Sequence, residues 1–265
     1  MEDNMRILHY ALGFPPYRTG GLTKYCIDLA LTQKENGNEV GILWSGEINP
    51  LRKQQIRKRK NWNGISSYEI INPLPIALDE GIIETEKYME SVNEAPYSDF
   101  LDKIQPDIIH IHTLMGLHKE LLVEAKKRNV KTVFTTHDYY GICPKVTLFR
   151  NGSNCNDLGC EGCAWCNATA LSLKKIAVMQ SPVYRVLKET KLVRLARQIH
   201  RKQFFENNSG ERVDVESNYN CTQIDKYKKL RKFYIDILEG VDLLHFNSSV
   251  SEKIYNQYVH SQNTV

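Results

Sequence analysis

The amino-acid sequence predicts a doubly wound, parallel α/β sheet, and three observations carry that prediction. Short uninterrupted apolar runs, VGILW at Val40 to Trp44, IIHIHT from Ile108 and TVFTT at Thr132 to Thr136, have the composition of strands buried on both faces. Segments with helical periodicity stand between them, so strand and helix alternate along the chain. Polar motifs sit where the strands end: Thr19-Gly20-Gly21 after the first, His112 after the fourth and His137-Asp138 after the fifth. Open α/β sheets gather ligands at the carboxyl ends of their strands.

The totals agree with one large α/β domain. The chain has 265 residues, 42% hydrophobic and 25% charged, enough to build a core. A net charge of +4 permits an anionic ligand or a membrane surface without demanding nucleic acid. The N-terminus, MEDNMRILHYALGF, is too short and too acidic for a signal peptide, and no run approaches the roughly 18 apolar residues of a membrane span. The expectation is a cytoplasmic chain whose seven cysteines are reduced thiols or metal ligands rather than disulfides.

Met5 to Ala11 reads as the first strand. The loop LGFPPYRTGG, in which two prolines are followed by two adjacent glycines, excludes regular structure. A helix over Gly21 to Asn36 follows, with Leu22, Tyr25, Cys26, Leu29 and Ala30 on one buried face and Gly37 as C-cap. Val40 to Trp44 then completes a βαβ unit. Arg52 to Lys60, with six basic residues and no acid, reads as a solvated loop or helix face, and Ile65 to Ile71 as a strand. Asp79 to Gln105 is acidic and reads as helical, with charges toward solvent. Strand IIHIHT, a helix over Leu117 to Arg128 and the strand from Val130 complete the first half. Ala168 to Phe205 reads as helical, broken at Pro182, with nine basic residues against one acid between Lys174 and Lys202. Lys191, Arg194, Arg197 and Arg201 cluster on one side of it. Such a helix can lie on an anionic membrane or pack on the sheet. Glu206 to Gln223 reads as a loop, Tyr227 to Glu239 as a helix, Val241 to Phe246 as a strand and Val250 to Tyr258 as a helix.

Gly20-Gly21 at a helix start lets a ligand approach the backbone closely and favours phosphate, although a plain tight turn has the same sequence. It is neither a GxGxxG fingerprint nor a P-loop, which argues against a dehydrogenase. His137 is either a strand-end hydrogen bond or a site residue. Cys143, Cys155, Cys160, Cys163 and Cys166 fall within 24 residues, and their spacing can offer four thiolates to a structural zinc. Unligated reduced cysteines and disulfide or redox chemistry stay open.

Taken together, PPYRTGGLTKYCIDLA, PDIIHIHT, TVFTTHDYYGICP and VDLLHFNSSVSEKI resemble the N-terminal, acceptor-side domain of a family 4 glycosyltransferase. The resemblance implies a GT-B enzyme of two Rossmann-like domains, transferring a sugar from a nucleotide-diphosphate donor with retention and without a catalytic metal. It assigns residues 1–265 to the N-terminal domain, with a Cys-rich loop at 141–167 and a helical insertion at 168–240. It places Gly20 and Gly21 at the donor diphosphate and makes His137 and Asp138 the candidate catalytic pair. His112 would line the cleft, and Tyr17 and Lys24 would contact the acceptor. The implied partners are a nucleotide-sugar, a saccharide or lipid-linked acceptor, peripheral contact with the inner face of the plasma membrane, and no nucleic acid. The family's C-terminal donor domain, with its Glu-x7-Glu motif, is not matched here. The expectation is therefore weak or no activity from this chain alone. The alternative is a non-catalytic acceptor- or membrane-binding subunit, with the donor domain on a separate chain.

Overall fold

The computed structural model describes residues 4–15, 18–77, 81–150, 152–187, 221–261 and 263–265. In chain order its strands are β1 (Arg6–Ala11), β2 (Glu39–Ser45), β3 (Gln55–Trp62), β4 (Ile65–Ile71), β5 (Ile108–Ile111), β6 (Lys131–Thr136), the small hairpin β7 (Phe149–Arg150) and β8 (Ser153–Asn154), and β9 (Leu243–Phe246). Its helices are α1 (Gly21–Glu35), α2 (Ala95–Ile104), α3 (Glu120–Lys127), α4 (Cys163–Cys166), α5 (Leu173–Met179), α6 (Pro182–Leu187), α7 (Cys221–Glu239) and α8 (Ser249–Tyr255).

The main sheet runs β3-β4-β2-β1-β5-β6-β9. Every pairing is parallel except β3 with β4. Numbering the parallel strands alone by sequence gives the order 3-2-1-4-5-6, the doubly wound Rossmann arrangement. Its order reverses between β1 and β5, which pair with Ile7 opposite Ile108 and His9 opposite His110. The predicted fold class is the observed one.

Strand parity gives the two faces different chemistry, because successive side chains point to opposite sides. Leu8, Tyr10, Ile109, Ile111 and Phe134 belong to the main core with Tyr97, Leu121, Tyr140 and Tyr234. On the other face α1 covers a small cluster of Ile27, Ala30, Val40, Ile42 and Ile65. The buried residues of α1 are Thr23, Cys26, Ile27 and Ala30, so its inward stripe is rotated from the predicted one, and Tyr25 is 38% exposed. Gly37 closes the helix at φ +90°, its N–H donating to the Lys34 carbonyl.

Several expectations change. The basic segment Arg52 to Lys60 contributes an edge strand rather than a loop or helix. It pairs antiparallel with β4 through Asn63-Gly64, both at positive φ, with Trp62 opposite Ile65. That is a two-residue hairpin turn, and Lys and Arg suit an edge because they discourage pairing with another chain. Among its described residues the acidic stretch yields a 3-10 turn at Thr85–Tyr88 and the shorter α2. Of the stretch Ala168 to Phe205, Leu173–Met179 and Pro182–Leu187 are helical with the break before Pro182, whereas Lys191, Arg194, Arg197 and Arg201 lie outside the described residues. Helix α7 begins at Cys221, six residues before its predicted start.

Candidate functional site

Ligands of doubly wound sheets bind outside the carboxyl ends of the strands, where the strand order reverses. Here that crevice is bounded by the loop from β1 into α1 and by the residues after β5 and β6. Gly20 is the N-cap of α1 at φ 129° and ψ 171°, and no side chain caps the helix. That conformation is open essentially to glycine alone. A Cβ at Gly20 or Gly21 would meet nothing within 4 Å, so the first turn of α1 borders open space with its N–H groups available.

Histidines dominate the rest of the site. His9 on β1, His110 and His112 at β5, His137 after β6 and His245 on β9 all come together. His110 and His112 stack with ring centroids 4.2 Å apart, and His9 and His112 with centroids 5.2 Å apart. His9 Nε2 lies 2.7 Å from Gln33 Oε1, His9 Nδ1 2.9 Å from His112 Nε2, and His112 Nδ1 3.2 Å from His137 Nε2. A second branch joins His110 Nε2 to Thr135 Oγ1 at 2.7 Å and Thr135 Oγ1 to His245 Nδ1 at 3.0 Å. Burial lowers His9 to about 4 and His137 to about 4. It lowers His110 to about 3 and His112 well below the ordinary value, with neighbouring histidines adding to the effect. These imidazoles are therefore neutral at pH 7.

Of the predicted site residues, Gly20, Gly21 and His137 meet at this edge. Tyr25, one turn into α1, packs edge-on to His137 with centroids 4.8 Å apart and ties the helix start to the histidine. His112 does not line the crevice. It is 1% exposed and lies beneath His137, because its parity turns it under α1. Asp138 accepts the Tyr140 N–H at 2.9 Å, and its backbone carbonyl accepts the Tyr255 hydroxyl at 2.6 Å. It builds the turn after β6, with its carboxyl pushed up to about 6 by burial. Lys24 is exposed and paired with Asp28 at 2.6 Å. Tyr17 lies outside the described residues. His9, Tyr25, Gln33, His110 and His245 were not singled out from sequence. The alternation in IIHIHT signalled that His110 and His112 share a face, but bringing in His9 and His245 required the strand order.

The cysteine loop follows directly. Arg231 on α7 is 7% exposed and donates to the carbonyls of Ile142 (2.9 Å), Asp157 (3.0 Å) and Leu158 (2.8 Å), reaching Cys163 Sγ at 3.7 Å. The Cys163 thiol donates to Cys160, which holds Cys160 below the ordinary thiol value and drives Cys163 up. Burial pushes Cys143 up to about 11 and raises Cys166. All seven cysteines are free thiols. Among the described residues, the group of three or more ligand atoms lying mutually within 4.8 Å is His9, Cys26 and His112, not the cysteine loop. In that group the two imidazoles already share a proton at 2.9 Å, and burial pushes the Cys26 thiol up to about 12.

The comparisons with known proteins bear on this geometry. The chain is 33% identical over 57 residues, 22% of its length, to an "Uncharacterized 42.6 kDa protein in cps region" of Klebsiella pneumoniae, and the match spans 15% of that relative. Among solved structures, one titled "Trehalose-6-phosphate from E. coli bound with UDP-2-fluoro glucose" has a TM-score of 0.38 at 13% identity, covering 95% of this chain and 42% of that one. The catalytic domain of starch synthase IV from Arabidopsis thaliana, bound to ADP and acarbose, has a TM-score of 0.32 at 12% identity, covering 96% and 71%. Both likenesses are too distant to add to the topology above. The family described as Glycosyltransferase Family 4 matches residues 19–154, from the glycine loop through the histidine strands to the cysteine loop. That is a little over half of the sequence, and on it the chain belongs to Glycosyltransferase Family 4.

Proposed function

We propose that this chain is the acceptor-side half of a retaining GT-B glycosyltransferase. It would move a sugar from a nucleotide-diphosphate donor to a saccharide or lipid-linked acceptor, in cell-surface polysaccharide or glycolipid synthesis. The observation that supports this most is the meeting of an uncapped helix start and a neutral histidine at the switch point of the sheet. The N–H groups at Gly20 and Gly21 suit a diphosphate, since a helix start attracts negative charge. Their part in transfer is to stabilise the departing diphosphate. His137 orients the acceptor hydroxyl against the anomeric carbon. Asp138 acts through the turn that holds His137 rather than on substrate. A second Rossmann-like domain, on the same polypeptide or on a partner chain, supplies the rest of the nucleotide pocket. The relative described as a protein in a cps region fits the polysaccharide assignment.

Structural zinc on the cysteine loop belongs to the same proposal, as a brace beside the crevice rather than a participant in transfer. Metal analysis of purified chain tests it separately: one zinc per chain, lost in Cys163→Ser, supports the brace, and a metal-free chain removes it.

Isothermal titration with nucleotide-sugars and glycolipid acceptors tests the main reading. Acceptor binding by this chain, with transfer appearing only when a nucleotide-binding domain is supplied, is the expected result. Tight donor binding by this chain alone would overturn the division of labour. Acceptor binding without transfer in any pairing would leave a non-catalytic binding subunit.

A further inference from the structure

The histidine array has a polarity that the family assignment does not supply. Gln33, three turns into α1, presents its carbonyl oxygen to His9 Nε2 at 2.7 Å, and a carbonyl can only accept. His9 Nε2 therefore carries the proton. A neutral imidazole has one N–H, so His9 Nδ1 is bare and accepts, and the proton in the 2.9 Å contact comes from His112 Nε2. The same rule leaves His112 Nδ1 bare, so the 3.2 Å contact is donated by His137 Nε2. His137 Nδ1 is then left as an acceptor. The burial of His9 and His112, 0% and 1% exposed, keeps both rings neutral so that each step transmits one polarity.

We infer that Gln33, His9 and His112 form a buried hydrogen-bond relay that locks His137 in the Nε2–H tautomer, with Nδ1 as its accepting nitrogen. Gln33 and His9 are thereby positioning residues, acting on His137 from beneath the sheet edge. The geometry of α1 makes this possible, because the helix runs back along β1. Tyr25 stays at the edge against His137 while Gln33 reaches the deeper His9. For transfer, the inference rests on the proposed role of His137: a bare Nδ1 can accept a hydroxyl hydrogen bond, whereas the opposite tautomer presents a donor.

The test is long-range proton–nitrogen NMR at pH 7 on chain labelled with nitrogen-15 in histidine, with His137 assigned by loss of its signals in His137→Gln. The expected wild-type pattern is a protonated Nε2 and bare Nδ1 at His9, His112 and His137. In Gln33→Leu the anchor is gone, and His137 should show both tautomers in exchange. A wild-type His137 with Nδ1–H, or one tautomer persisting in Gln33→Leu, overturns the relay. So does stoichiometric zinc held by His9, Cys26 and His112 in the same sample, because a metal replaces the shared proton. The wild-type spectrum decides the matter even where a variant folds poorly. No sugar is needed, so a failed transfer assay beside the expected spectra would remove the role of His137 and leave the relay standing.

Discussion

Gly20 and Gly21 are neighbours with different physics, and the difference can be measured. Gly20 holds φ 129° and ψ 171°, so Gly20→Ala should cost about 1–3 kcal/mol of stability through backbone strain alone. Gly21 is the first helical residue, is not at positive φ, and has open space where a Cβ would go. Gly21→Ala should therefore leave the melting temperature unchanged or raise it slightly, since alanine favours helix by up to about 1 kcal/mol. If the N–H groups there bind a diphosphate, the same substitution should weaken donor affinity in the complete enzyme at least about tenfold, because the methyl takes the ligand's place. Unchanged affinity would move the diphosphate elsewhere. The histidines make a second prediction at this scale. His9, His118 and His137 are lowered to about 4 and His110 to about 3, each mainly by burial. The unfolded chain therefore binds protons that the folded chain refuses between pH 6.5 and about 4. Each such histidine lowers stability, as pH falls through that window, by about 1.4 kcal/mol per pH unit. Asp138, raised to about 6, works the other way and offsets one of them. Urea midpoints should fall steadily from pH 6.5 to pH 5, and a flat profile would show that the imidazoles are not buried neutral.

Two arginines converge on one buried carboxylate, one from the neighbouring strand and one from a helix distant in sequence. Glu69 on β4 has a fully buried side chain and receives Arg59 from the edge strand β3 and Arg185 from α6, the latter at 2.5 Å. The ion pairs hold α6 onto the β3–β4 edge. Removing both cations leaves a buried carboxylate uncompensated, and the loss of such a partner costs about 3–5 kcal/mol. The Arg59→Met, Arg185→Met double variant should lose stability on that scale in chemical denaturation, whereas Glu69→Gln combined with both should recover part of it. No recovery would mean that the arginines act by packing. Arg231 does comparable work for the cysteine loop by satisfying three carbonyls at once. In Arg231→Met, alkylation of Cys160 and Cys163 by iodoacetamide, followed by mass spectrometry, should speed up severalfold. Equal rates would show that the loop holds itself.

At the scale of the whole molecule, one edge of the sheet carries the histidine crevice and another region carries an uncovered apolar surface. Among the described residues no helix is long and apolar enough to cross a membrane. Helices α5 and α6 nevertheless expose Val178, Met179, Val183, Val186 and Leu187, with Val186 78% exposed. Lys174 and Lys175 stand on the same short segment. Apolar side chains beside lysines suit attachment to an anionic bilayer surface. Cosedimentation with vesicles containing phosphatidylserine should capture the chain. Val183→Asp with Val186→Asp should reduce capture by about tenfold or more, since two charges replace two apolar side chains that the bilayer surface would take up. Retention by neutral vesicles equal to that by anionic ones would argue against the lysines.

The fold class was legible in the sequence because parallel strands buried on both faces are written as unbroken apolar runs, and helices between them as a 3.6-residue period. The position of the glycine loop and of His137 at the carboxyl edge of the sheet was legible too, since doubly wound sheets put strand ends on one edge. The edge strand β3 was missed although Asn63-Gly64 announced its hairpin: its own residues are charged, and a charged edge hides the alternation that marks a strand. The inward stripe of α1 was misread by a fraction of a turn, because apolar residues on two adjacent faces gave no unique choice until the sheet was beneath them. What the tertiary structure alone decided is the histidine relay. His9, Gln33, His112 and His137 are spread over 129 sequence positions, and only the order β1-β5-β6 with α1 across it brings the histidine ring nitrogens and the Gln33 carbonyl oxygen into hydrogen-bond range. Local sequence encodes which way a side chain points on its own strand, but it does not encode which strand lies alongside, and hydrogen bonds between strands depend on both.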